Sequence, residues 1–386
     1  MFLRMSLLRL YADHNATTPL SAFVKKALTE GLDDVLLANA SSVHAHGRHT
    51  RQIIEKVRKT IADILNTSSK NIVFTSGASE AASWILKGFS GPVCVANDAH
   101  DCLKNPRKDA HIISMDAHGL LDMHHLDKTL DNLDKPALVA VMAANNETGI
   151  IQTHLHSIVQ RVHEKGGLVL CDAVQVFGKI PLPQALFSCD FIIGSGHKIA
   201  APSGIGFAKI PSRVPLEKLI HGGGQERSFR GGSENILGII GLGAALNTLS
   251  PFPNTSLETV RNYFEEKLQI LAPDIKIIGQ KHIRLPNTSC VVMPHVKGEI
   301  QVMHFDLNHI SVSAGSACSS GKVSASPVLK AMNLSDMEAS CAARFSFSQE
   351  WNSDHMDRLI SVWQDLYVKK CNRAPPSSKS PYALTY

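Results

Sequence analysis

The chain has 386 residues, 44% of them hydrophobic and 19% charged, with a formal net charge of +5. That length exceeds what one core supports, since single cores stop growing at roughly 250–300 residues, and the composition is that of an ordinary soluble globular protein. The positive charge is spread along the chain rather than gathered into a basic stripe, which argues against nucleic acid as a partner, and no apolar run is long enough to span a membrane.

Residues Met1–Leu10 are apolar with two arginines, lack a small-residue cleavage site and run directly into Tyr11-Ala-Asp-His-Asn-Ala-Thr-Thr18. They read as an extended first segment, with Met5 as a second candidate start and an organelle-targeting remnant as the alternative. Apolar residues at 53, 54, 57, 61, 64 and 65 predict a helix over Arg51–Leu65. Short apolar runs predict strands at Asn71–Thr75, Pro92–Ala96, Ala137–Ala143, Leu168–Asp172 and Phe191–Gly194, with Gly204–Ile210 continuing the sheet. Helical patterns at Ala81–Gly88 and His154–Lys165 alternate with them. This alternation, sustained to about residue 240, reads as βαβ units around a mainly parallel sheet flanked by helices. Ser250-Pro-Phe-Pro-Asn-Thr255 then breaks the pattern, Leu257–Leu271 is helical, and a mixed segment follows from Ile275 to about Val368. The expected organisation is a large α/β domain over 11–250 and a smaller α+β domain over 251–370, with residues 11–20 free to pack on the latter. The proline- and serine-rich tail, 371–386, reads as disordered.

Eight cysteines, at 94, 102, 171, 189, 290, 318, 341 and 371, form no C-x-x-C pair. That spacing argues against a zinc module or a disulfide framework and favours a reducing compartment. The pairs His124/His125 and His154/His156 lack the carboxylate company of a metal site and are assigned to surfaces and loops.

Two strands end on chemically useful side chains. Leu168–Asp172 delivers Asp172, and Phe191-Ile-Ile-Gly-Ser-Gly-His-Lys198 delivers Lys198. In parallel α/β sheets, ligands bind where strands end. A lysine there can form a Schiff base with an aldehyde cofactor, and a carboxylate can hold a pyridine nitrogen protonated, as a pyridoxal phosphate site requires. A solvated lysine and a helix-capping aspartate are the plainer alternatives. Phe74-Thr-Ser-Gly-Ala-Ser-Glu80 follows a strand and opens a helix, where backbone N–H groups can meet an anion; a plain turn fits it equally. Ser195 can donate to a phosphate, His197 can orient or shuttle a proton, Asn146 can donate to a ligand oxygen, and Gln175 can reach a ring oxygen. Cys318, in Ser313-Ala-Gly-Ser-Ala-Cys-Ser-Ser-Gly321, has no large neighbour to anchor it in a core and reads as an accessible thiol, or else as an incidental cysteine in a small-residue turn. Arg344, flanked by apolar residues, calls for a carboxylate, internal or on a substrate.

Taken together these segments resemble the cysteine desulfurases of the NifS/IscS type, class V pyridoxal-phosphate enzymes of the aminotransferase-like fold type I. The resemblance runs from about Tyr11 to about Val368. Its motifs are Asp13–Thr18, Ser41-Ser-Val-His44 with Gly47, Thr75–Glu80, Asn145–Gly149, Asp172–Gln175, Ser195–Lys198, Gly222–Glu226 with Arg230–Asn235, and Gly315–Gly321. It implies pyridoxal 5'-phosphate on Lys198, with Asp172 at the pyridine nitrogen and His100 stacked on the ring. Gln175 and Asn146 would contact the cofactor, and Ala78, Ser79, Ser195 and His197 would surround its phosphate. Ser233 would reach the phosphate of a neighbouring subunit, hence a homodimer. Arg344 and Asn146 would bind L-cysteine, and Cys318 would take its sulfur as a persulfide, producing alanine. The sulfur would pass to an acceptor such as an iron–sulfur scaffold or a thiolation enzyme. No resident metal is implied beyond transient iron–sulfur ligation through Cys318. The implied location is the cytoplasm, with an organelle such as the mitochondrion left open.

The chain departs from the family pattern at Ser79 and Ser233, where threonine is usual. Ala99 stands for a glutamate, Ala82-Ser83 for two asparagines, and Ala201-Pro-Ser203 for Gly-Pro-Lys. The rival readings are a selenocysteine lyase or aminotransferase of the same fold, and an inactive partner subunit.

Overall fold

The computed structural model describes residues 9–249, 255–315 and 325–371. Strand β1 (Leu10–Tyr11) is followed by β2 (Ile72–Thr75), β3 (Val93–Ala96), β4 (His111–Ile113), β5 (Leu138–Met142), β6 (Leu168–Asp172), β7 (Phe191–Ser195) and β8 (Gly206–Lys209). Seven of these make one sheet in the order β2-β8-β7-β6-β5-β3-β4. Strands β3 to β7 pair in parallel, while β8 runs antiparallel to both β7 and β2. Every residue of β5 and β7 is buried. Helices cover both faces of a sheet of this kind, so such strands need no polar alternation and read as continuous apolar runs.

Each of the six strand segments expected from the sequence is a strand, with ends shifted by at most two residues. Strand β4 was not anticipated. It sits at the sheet edge with His111 and Ile112 exposed, so no buried run marks it. The helix expected over Arg51–Leu65 begins earlier, spanning Ala45–Ile64. His44 caps it, its Nδ1 accepting from Gly47 N–H at 3.3 Å. The added turn carries no apolar stripe, which is why periodicity starts late.

The later part of the chain adds β9 (Lys276–Ile277), β10 (Thr288–Val292), β11 (Ile310–Ser311), β12 (Ser313–Ala314) and β13 (Ala342–Ser346). Four of them form an antiparallel sheet in the order β12-β13-β10-β9. Helices Thr255–Leu271, Gly298–Leu307 and Ser353–Cys371 contribute to a core around Phe264, Phe305, Phe345, Phe347 and Trp363. Phe345 lies 4.9 Å from Phe264 and 5.4 Å from Phe305, centroid to centroid, in the tilted and edge-on arrangements that aromatic quadrupoles favour.

The N-terminal segment crosses between the two cores. Ala12 belongs to the smaller core, β1 pairs in parallel with β11, and Asp13 bridges to Ser346. A few residues on, Thr18 N–H donates to the carbonyl of His197, on the loop after β7. Residues 13–18 therefore form a floor between the ends of the large sheet's strands and the smaller sheet. Among the described residues no helix is long and apolar enough to cross a membrane.

Candidate active site

A cavity of about 600 Å³ opens at the C-terminal ends of β5, β6 and β7. Of the residues singled out from the sequence, Lys198, Asp172, Gln175, Asn146, His100, Ala78, Ser79, Ser195, His197 and Arg344 all line it. They come from segments spread over more than half the chain, and strand ends and helix starts bring them to one edge.

Asp172 closes β6 and is buried. Its Oδ1 accepts from Val174 N–H at 2.9 Å, the one hydrogen bond to this carboxylate among the described residues. Burial raises its pKa above the usual carboxylate range. A desolvated carboxylate of this kind gains most from a cationic N–H partner.

Lys198 follows β7 on a single 3-10 turn. Its Nζ donates to the carbonyls of Asn15 at 2.7 Å and Ala16 at 2.6 Å. Burial, and next the charge of Arg344, lower its pKa to about 8. An amine so depressed supplies unprotonated nucleophile near neutrality. His197 is held neutral by burial first and then by the charge of Lys198, at about 4. His100 caps a short helix: its Nδ1 accepts from Cys102 N–H at 3.1 Å, which leaves the proton of the neutral ring on Nε2.

One end of the cavity is built for an anion. Helix Ala78–Gly88 starts there, and its N-cap, Gly77, offers no side-chain acceptor to the first-turn N–H groups. A Cβ at Gly77 would meet nothing nearer than Ser195 Oγ at 3.8 Å, so a side chain at that position would enter open cavity. Ser79 and Ser195 supply hydroxyls, and the helix dipole adds positive potential. Behind the turn, Gly206 must be glycine: a Cβ there would sit 2.6 Å from Gly77 Cα.

At the opposite end Arg344, in β13, donates from Nη2 to Asp13 Oδ1 at 2.6 Å and from Nη1 to the carbonyl of Asn146 at 3.1 Å. Its Nε is buried without a hydrogen-bond partner among the described residues, while the residue itself lines the cavity and brings its positive charge there for a ligand carboxylate. The two amides of Asn145-Asn146 divide their labour. Asn145 Oδ1 accepts from Glu147 N–H and Thr148 N–H and so builds the turn, while Asn146 lines the cavity.

Several site residues escaped the sequence reading. Asn15, only part of a quoted motif, is a hub: its carbonyl accepts from Lys198 and from Gln175 Nε2, its Oδ1 accepts from Lys179 and Asn287, and its Nδ2 donates to Thr288 and Asn146. Buried Glu147 accepts from Ser326 Oγ at 2.6 Å, and burial raises its pKa. Cys102, given no role from the sequence, also lines the cavity. Ser233 is exposed and is not among the residues lining it. Cys318 lies outside the described residues, within a segment bracketed by Gly315 and Pro327, both of which line the cavity.

Known proteins bear on this geometry. The aminotransferase class-V family matches residues 10–359. A cysteine desulfurase from Nostoc sp. is 33% identical over 373 residues, covering 92% of each chain. The X-ray structure of a NifS-like protein from Rickettsia africae superposes with a TM-score of 0.85 at 30% identity, covering 93% of this chain and 99% of that one. A third structure, of SspA in complex with cysteine, gives a TM-score of 0.75 at 27% identity over 88% of this chain and 98% of that chain. The helix-flanked mixed sheet is thus that of the NifS-like proteins.

Proposed function

This chain belongs to the aminotransferase class-V family, and we propose that within it the protein is a cysteine desulfurase dependent on pyridoxal 5'-phosphate. The observation that carries the reading is one cavity holding Lys198 and Asp172 on neighbouring strand ends, with Arg344 lining the same cavity. The donor set fits the cofactor. A lysine of lowered pKa suits its aldehyde, a buried carboxylate its ring nitrogen, and an uncapped helix start with two hydroxyls its phosphate.

In this reading Lys198 carries the cofactor and Asp172 keeps its ring nitrogen protonated. Ala78, Ser79, Ser195 and His197 would hold the phosphate, Gln175 and Asn146 would contact the ring substituents, and His100 would stack on the ring. When bound, the cofactor supplies an electron sink beside the substrate Cα. Arg344 and Asn146 fix the carboxylate of L-cysteine, which orients the Cα–H bond toward Lys198. Lys198 Nζ, whose pKa of about 8 leaves part of it unprotonated near neutrality, removes that proton. Cys318 Sγ attacks the substrate sulfur as a thiolate, the Cβ–S bond breaks, its electron pair is taken up with a proton at Cβ, and Lys198 returns a proton to Cα. L-cysteine leaves as L-alanine, and its sulfur stays as a persulfide on Cys318. His100 lines the same cavity, and its ring would serve these proton transfers.

The same reading makes the protein a homodimer in which Ser233 serves the partner's phosphate site. Its persulfide passes to an acceptor protein such as an iron–sulfur scaffold. A reducing compartment such as the cytoplasm suits the six described cysteines, all free thiols. The test is spectral and chemical together. The loaded protein should be yellow, bleach with borohydride and release alanine from L-cysteine, whereas Lys198→Ala should be colourless and inactive. A wild-type protein that takes up no vitamer contradicts the proposal, and a Cys318→Ala variant with full sulfide release favours a lyase or aminotransferase instead.

A further inference from the structure

Just past Gln175, a run of turns brings a second lysine, Lys179, under the same cavity. Its Nζ donates to Asn15 Oδ1 at 2.8 Å and to Gln175 Oε1 at 2.5 Å. No carboxylate lies within 4 Å of it among the described residues. Burial first, and then the charges of its neighbours Lys198 and Arg344, both cations, push its pKa well below 10.5. An ammonium group in that setting is costly to keep, and a methionine would fill the space at no electrostatic cost. The cost points to a specific service.

We propose that Lys179 is a positioning residue that fixes the polarity of the two amides beneath the cavity, those of Gln175 and Asn15. A charged lysine presents only donors and a neutral one keeps a single lone pair, so at least one of the two amides it touches must turn its oxygen to it, and both must when it is charged. With Oε1 committed to Lys179, Gln175 must turn Nε2 the other way. One Nε2 hydrogen goes to the carbonyl of Asn15 at 3.1 Å, and the second is left for the cavity that Gln175 lines. With Oδ1 committed to Lys179 and Asn287, Asn15 must aim Nδ2 at Thr288 Oγ1 and at the carbonyl of Asn146, which Arg344 also uses. The carbonyl of Asn15 in turn receives Lys198 Nζ. Lys179 is absent from the residues lining the cavity, so it acts through its neighbours. Without it, a flipped Gln175 would set Oε1 against the Asn15 carbonyl and present an acceptor where a donor is needed.

This inference rests on the proposed function, since the acceptor that meets Gln175 is the ring oxygen of the cofactor. Its test is a double-mutant cycle on pyridoxal 5'-phosphate affinity, read by absorbance titration of the full-length apo-proteins. Wild type, Lys179→Met, Gln175→Ala and the double variant are compared, with thermal unfolding of each apo form alongside. Lys179→Met should weaken binding about tenfold, with the double variant falling short of the product of the two single losses because the part carried through Gln175 is already gone, and Lys179→Arg, which keeps a donor-only group, should recover most of the affinity. Losses that multiply in the double variant, or unchanged binding in Lys179→Met, overturn the inference. Should Lys179→Met not refold, Lys179→Leu takes its place in the cycle, and the same pair of outcomes decides. If wild type itself takes up no vitamer, the proposed function fails, an outcome separate from an additive cycle in proteins that do bind.

Discussion

Capture of pyridoxal phosphate by the apo-protein should rise with pH around a midpoint of about 8, because that is where Lys198 loses its proton. At pH 7.5 an amine of that pKa is about one-quarter unprotonated, against about one-thousandth for an ordinary lysine, so the site offers roughly 200-fold more nucleophile. Burial is the main cause and cannot be removed by one substitution, but the two charges behind it can. Arg344 lowers the pKa of Lys198 and Asp13 raises it, although the two are paired with each other at 2.6 Å. Arg344→Gln should therefore move the midpoint to higher pH and Asp13→Asn to lower pH. The assay is stopped-flow absorbance of vitamer capture across roughly pH 6 to 10.5 at constant ionic strength. A wild-type midpoint near 10.5, or two variants that shift the same way, would refute the reasoning. The same depression has a stability consequence. Between about 8 and 10.5 the unfolded chain keeps a proton that the folded one has released, so apo-protein stability rises with pH there, by up to about 3 kcal/mol from this group, and Lys198→Met should flatten the rise.

Two further predictions concern the frame around the site. Arg58 and Glu226 form a bidentate pair whose side chains are 5% and 3% exposed, and Glu226 also accepts from Phe74 N–H at 2.8 Å. Glu226→Ala leaves the buried guanidinium only half-exposed Glu55 and the Ile72 carbonyl as partners and should cost about 3 kcal/mol in urea unfolding; a loss under about 1 kcal/mol would show that Glu55 or water compensates. Gly206→Ala drives a methyl into the Gly77 turn and should weaken pyridoxal phosphate binding while affecting phosphate-free pyridoxal far less. Equal effects on both ligands would place the damage elsewhere than the anion end of the cavity.

The sheet was legible because its central strands are buried on both faces, leaving unbroken apolar runs such as Leu138–Met142. Edge strand β4, with two of its residues exposed, left no such run. Asp172 and Lys198 were legible for a related reason, since each is the polar stop of a buried strand or of the turn that follows it. What remained hidden depends on contacts between distant segments. Asn15 meets Gln175, Lys198 and Thr288 across separations of 160, 183 and 273 residues, and Asp13 meets Arg344 across 331. No local spacing encodes such pairs. Lys179 was hidden differently, because a lysine four residues beyond Gln175 looks like any solvated lysine until the fold closes over its ammonium.

The most direct measurement is peptide mass spectrometry of the loaded protein after a short incubation with L-cysteine under non-reducing conditions. Desulfuration by this site predicts one additional sulfur atom on the peptide containing Cys318, removable by a thiol reductant and missing from Lys198→Ala. Alanine released while that peptide keeps its original mass, or added sulfur that persists without Lys198, would contradict it.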